Sequence, residues 1–165
     1  MTDVADLIFR TWDALKNKDM DELREISHQC SEEAAVTQNP ALIQMSIISY
    51  SFNKLLSKIH YRDKLEKLIK NSLPKLNNGD FEGVISEIDQ FDQQNSFFEG
   101  SLIEKAKVKI ASRLYSSGLS LSQSAELVEV RVSELLDYVG VTKIHDETKT
   151  ISAMERLKIA REVFR

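Results

Sequence analysis

Glycine and proline mark the turns of most folds, and this chain has very few: 5 Gly and 2 Pro in 165 residues. A β-sandwich, a barrel or an alternating α/β sheet needs turn signals about every 8–12 residues. So few breakers leave long helices as the simplest way to order the chain. The apolar spacing agrees. Val4, Leu7, Ile8, Trp12 and Leu15 form one helical stripe over 3–17, and Met20, Leu23, Ile26, Cys30, Ala34 and Thr37 form another over 20–38. Asp19 and Glu22 make an N-terminal capping pair, and Asn39-Pro40 is a helix restart with proline at the first helical position.

Residues 40–60 differ in kind. Leu42, Ile43, Met45, Ile47, Ile48, Tyr50, Phe52, Leu55, Leu56 and Ile59 surround most of the circumference, which places this helix at the centre of a bundle, the favoured reading, or in an interface. Helices follow at 62–77, with Pro74 inside, and at 81–91, with Asn77-Asn78-Gly79-Asp80 as the turn between them. The polar run Asp92-Gln93-Gln94-Asn95-Ser96 then divides the chain into an acidic helical bundle, 1–92, and a second module, 96–165. That module opens with a long helix ending near 116, capped by Ser96 with Glu99 or by Ser101 with Glu104.

Charge follows the same division. Residues 1–100 hold 11 Lys/Arg and 17 Asp/Glu, and residues 101–165 hold 11 and 9, so a net of −6 precedes a net of +2. Neither half is basic enough to announce nucleic acid by composition. The acidic start, Met1-Thr2-Asp3, is unlike a secretory leader, and no apolar run reaches membrane-spanning length. The expected location is cytoplasmic, with no membrane partner.

The informative stretch begins at Tyr115-Ser116-Ser117-Gly118. Gly118 stops the long helix, and Ser120 with Gln123 forms a capping box for a short helix over 121–128. A turn at Glu129-Val130 leads to a second helix, 131–139, closed by Gly140. Ala125 falls where two helices meet closely, and Val128, Val130, Leu135 and Tyr138 fall where they pack. This spacing resembles a helix-turn-helix. The stretch from Leu114 to Ile144 is similar to the small antitoxin-type helix-turn-helix proteins of archaea, which run Leu-Tyr-x-x-Gly-x-Ser-Leu-x-x-Ala-Ala-Glu-Leu. Glu129 stands where that pattern has glycine, so its backbone must take a less common conformation or the turn must shift.

The resemblance implies that the second helix enters a DNA major groove, with Arg131, Val132 and Glu134 facing bases. Gln123, Lys105, Lys109 and Arg113 would then meet phosphates. The three cations of the long helix recur every four residues, within about 80° of one face. Against this, Arg131 is accompanied by Glu134 and Asp137, which phosphates repel. The rival reading is an antitoxin-like or adaptor subunit in which the same motif docks a protein. Val141-Thr142-Lys143-Ile144 and Thr148-Lys149-Thr150-Ile151 can pair as a small β-wing over 141–151 or run as an extended connector, the reading favoured here. A last helix, 153–164, carries Met154, Leu157, Ile159, Ala160, Val163 and Phe164 and suits a homodimer contact.

Enzyme signatures are lacking. His28 and Cys30, two apart on a helix, lie about 200° around its axis and cannot share a metal or a proton. Arg24 and His28 have three residues between them, too few for the Arg/His pair of toxin-type RNases, and Glu25 would oppose RNA. No phosphate-binding glycine loop, serine elbow or Cys-x-x-Cys occurs. The expectation is an all-α, non-enzymatic protein without metal or cofactor: an irregular bundle, then a long helix and a helix-turn-helix module that regulates through DNA.

Overall fold

The computed structural model describes residues 3–58 and 62–147, and every regular element among them is a helix. The order is α1 (Val4–Asn17), α2 (Met20–Thr37), α3 (Pro40–Leu56), α4 (Arg62–Asn77), α5 (Phe81–Asn95), α6 (Leu102–Ser116), α7 (Leu121–Val128) and α8 (Val132–Glu147). Short polar side chains start most of them. Asp3, Asp19, Asn39, Asp80, Ser101 and Ser120 each accept a hydrogen bond from a backbone N–H of the first turn. Glu22 does not complete the box with Asp19. Its carboxylate binds Arg10 at 2.8 Å instead and ties α2 to α1.

Helix α3 lies at the centre, packed against α1, α2, α4, α5, α6 and α7, and its close neighbour is α2. Leu42, Met45, Ile48, Phe52 and Leu55 are buried on it, and Ser46, Ser49 and Ser51 are buried between them. Small residues let the α2 and α3 backbones approach. The Ser27 hydroxyl donates to the Ser46 carbonyl at 3.0 Å, and the Ser46 hydroxyl donates back to the Ser27 carbonyl at 2.7 Å. One continuous core runs from Leu7 on α1 to Val139 on α8, so both segments set apart by sequence contribute to it.

The sequence reading needs correction at several ends. The central helix stops at Leu56 rather than 60, whereas α4 spans Arg62–Asn77 with Pro74 inside, as expected. Helix α5 runs four residues beyond 91, so Asp92-Gln93-Gln94-Asn95 is helical rather than a linker. The physical reason is Asp92. Its side chain is buried and accepts the Leu102 N–H at 2.8 Å, while Asp89 accepts from Ser101 Oγ at 3.1 Å. The end of α5 thus serves the start of α6, and the cap is Ser101 with Glu104, not Ser96 with Glu99. Ser96 instead ends α5 in the left-handed conformation, at φ 49°.

Helix α8 does not stop at Gly140. It continues to Glu147, so Val141–Glu147 cannot supply the first strand of a β-wing, and the rest of that expected element, with the helix at 153–164, lies outside the described residues. Glycine alone is a weak terminator, worth about 1 kcal/mol against alanine in a helix interior. A Cβ at Gly140 would meet nothing within 4 Å, and its φ is ordinary. Gly140→Ala is therefore expected to stabilise the protein by about 0.5–1 kcal/mol. Urea unfolding measures this, and an unchanged or lower midpoint would mean that the position is not helical in solution.

Candidate functional site

Helices α6, α7 and α8 pack on one another, and α6 joins them to α2 and α3. Gly118, at φ 111°, turns the chain out of α6, which a side chain would strain. Ser120 and Gln123 then form the complete capping box: Gln123 N–H to Ser120 Oγ at 3.1 Å, and Ser120 N–H to Gln123 Oε1 at 3.2 Å. Ser124 and Ala125 are buried against the neighbouring helices. After α7, Glu129 takes φ 58° and ψ 47°, the left-handed state that glycine would adopt more easily. The Val130 N–H closes this turn on the Ala125 carbonyl at 3.0 Å. Leu135 and Val139 then seat α8 in the core.

Of the residues expected to touch DNA, Lys105, Lys109 and Glu134 line one cleft between α6 and α8, and Gln123, Arg131, Val132 and Arg113 do not line it. Arg131 is exposed, but its guanidinium grips Glu134 at 3.2 and 3.3 Å. That pairing holds the Glu134 carboxyl below its usual range and raises Arg131. Val132 is 43% exposed and Leu136, one turn on, is 56% exposed. Asp137 lies beside Leu136 on solvent. Gln123 is exposed, with its carbonyl oxygen committed to the cap. Lys105 is exposed on α6, and Lys109 sits half-buried with its ammonium 5.7 Å from the Tyr138 ring.

Arg113 is turned inward. It donates to Ser27 Oγ at 2.9 Å, meets His28 Nε2 at 3.1 Å, and lies 5.7 Å from the Tyr50 ring. Its Nε is buried without a hydrogen-bond partner. Burial pulls its pKa down, and the Tyr50 and Tyr138 hydroxyls oppose that shift. An arginine remains charged under such a pull. Burial chiefly, with Tyr138 adding, raises Tyr50, and Arg113 partly offsets it.

The pair Arg24 and His28 is divided: Arg24 binds Asp21 at 2.6 Å, and His28 faces Arg113. Cys30 is buried in the core, and burial pushes its thiol up to about 12, so it is a poor nucleophile. Among the described residues no group of three His, Cys, Asp or Glu side chains could hold a metal ion, and no helix is long and apolar enough to cross a membrane.

Sequence reasoning missed Tyr50, Asn53 and Lys54 of α3. They line a cleft of about 330 Å³ with Arg24, Ser27, Lys109, Arg113 and Tyr138. Tyr50 carried a signal, as a polar-tipped aromatic in an apolar helix, but nothing local indicates that α6 and α8 would meet it. No family model matches the chain, and no match is found among curated proteins or solved structures.

His28 makes the site sensitive to pH. An arginine N–H can only donate, so His28 Nε2 must accept, which requires the neutral ring. Burial, then Arg113 and also Lys109, lower its pKa from 6.5, while Glu25 and Glu32 act the other way. A lowered folded value means the contribution is fully present above the unfolded pKa and lost as pH falls through the folded one. Thermal unfolding at about pH 7.5 and 5.5 should show the parent losing more stability than His28→Gln, whose amide oxygen still accepts. Equal losses would show that His28 is not linked to folding.

Proposed function

We propose that the protein is an interaction subunit whose α6–α8 unit is a helix-turn-helix used to dock protein, and that the acidic bundle of α1–α5 supports it. One observation carries this reading: the solvent face of α8 presents Val132 and Leu136 beside Asp137, and its leading cation, Arg131, is closed on Glu134. A helix that reads bases must approach phosphates, and neutralising them requires unpaired Lys or Arg. An apolar pair edged by carboxylates instead complements an apolar helix with basic flanks. Apolar residues interspersed with cations occur in the chain's own sequence. Residues 151–165 include Met154, Leu157, Val163 and Phe164 with Arg156, Lys158, Arg161 and Arg165. A second copy of the chain is therefore the occupant that we assign to α8, giving a homodimer.

A DNA-contacting role is the second reading, favoured by Lys105 and Lys109, one turn apart on α6 and flanking α8. One pair of measurements separates them. Sedimentation velocity at tens of micromolar should give a dimer, and Leu136→Asp should give a monomer. Anisotropy of a labelled duplex at about 50 mM salt should stay flat, where even non-specific binders show dissociation constants of about 10⁻⁴–10⁻⁶ M. A monomeric parent would remove the docking reading. Duplex binding with a steep salt slope, flattened by Lys105→Ala with Lys109→Ala, would establish the DNA role instead.

A further inference from the structure

The cleft where α2, α3, α6 and α8 meet gathers four cations from three helices: Arg24, Lys54, Lys109 and Arg113. Among the described residues no carboxylate lines it. Arg24 leans on Asp21, but Lys54, Lys109 and Arg113 have no carboxylate within 4.0 Å among the described residues. This convergence occurs in a chain whose net charge is −4. Like charges brought together raise the free energy of the folded state, and a buried guanidinium N–H without a partner raises it further. Arg113 Nε is such a group. A bound anion relieves the repulsion among the cations, while Arg113 Nε, fully buried, stays out of its reach.

The shape narrows the anion. A carboxylate is flat and is satisfied by one guanidinium fork, whereas a phosphoryl group presents several oxygens to donors on different sides. A duplex backbone would be met by cations spread along a convex face; here they surround a pocket of about 330 Å³. A second cleft of about 600 Å³ adjoins it, sharing Tyr50, Lys109 and Tyr138 and adding Val108 and Val141. It mixes Lys105 and Lys109 with Glu104, Glu134 and Asp137; Glu134 is held by Arg131, and Glu104 and Asp137 can accept from amino or hydroxyl groups.

We infer that this junction binds a small organic phosphate, with the phosphoryl group among Arg24, Lys54, Lys109 and Arg113 and the organic part against Tyr138, Val108 and Val141. A ligand there bridges α8 to α2 and α3. The phosphoryl subsite shares no residue with the proposed α8 docking face, whereas the second cleft shares Glu134 and Asp137 with it.

Isothermal titration of the full chain with adenosine monophosphate, inorganic pyrophosphate and a short duplex tests it. Adenosine monophosphate should bind saturably at one site, and pyrophosphate should compete. Lys54→Gln and Lys109→Gln, whose side chains are not core elements, should each weaken binding about tenfold, the loss of one charge-assisted contact. Lys70→Gln on α4, a residue that lines neither cleft, should leave it unchanged. Unfolding curves of each variant confirm that the fold is kept. No saturable binding of either small probe, or equal affinity in Lys54→Gln and Lys109→Gln, would overturn the inference. So would a duplex that binds more tightly than both probes and loses affinity through the same lysines, because the cluster would then be a nucleic-acid track.

Discussion

The rest of the structure depends on the approach of α2 to α3. A helix apolar on nearly all sides cannot sit on a surface, so α3 must be wrapped, and α2 does so at short range. Ser27 and Ser46 make this possible because each hydroxyl finds the carbonyl of the opposite helix. A larger residue at either position would force the backbones apart and leave α3 partly wet. The Ser27 oxygen has a second task, since it also accepts from Arg113. A core contact and a surface cleft therefore share one atom, and changes at the seam are expected to be felt at the site.

Most of the fold was legible because its signals are local. Asp19, Asn39, Ser101 and Ser120 start helices whose apolar stripes follow within a turn, and the ring of large residues from Leu42 to Leu55 marks the central helix by itself. The helix ends were less legible. Asp92 reads as a loop residue, yet it is buried because the N–H of Leu102, ten positions later, needs its carboxylate. Gly140 reads as a stop, yet the helix passes through it. In both cases a partner outside the window, or the absence of an obstructing neighbour, decided the outcome.

The candidate site was only half visible for a related reason. Periodicity placed Lys105, Lys109 and Arg113 on one face of α6, which is correct as helix geometry. It could not show that this face meets α2, α3 and α8, so that Arg113 turns to Ser27 and His28 while Lys105 stays in water. Nor could it show Glu134 folding back on Arg131, although the three-residue spacing permits the pair. The residues that complete the cleft, Tyr50 and Lys54, come from a helix whose composition advertises only burial.

Among the described residues, four helices end on residues other than glycine in the left-handed conformation: Lys18, Gln38, Ser96 and Glu129. A side chain in that region costs roughly 1–2 kcal/mol, so each corner is a place where the backbone is held rather than at rest. Amide exchange in the flanking turns would then proceed through brief local openings at these four corners, well below the free energy of global unfolding. The corner at Glu129 lies between α7 and α8, so the earliest opening there would loosen the orientation of α8 while the α2–α3 seam stayed shut.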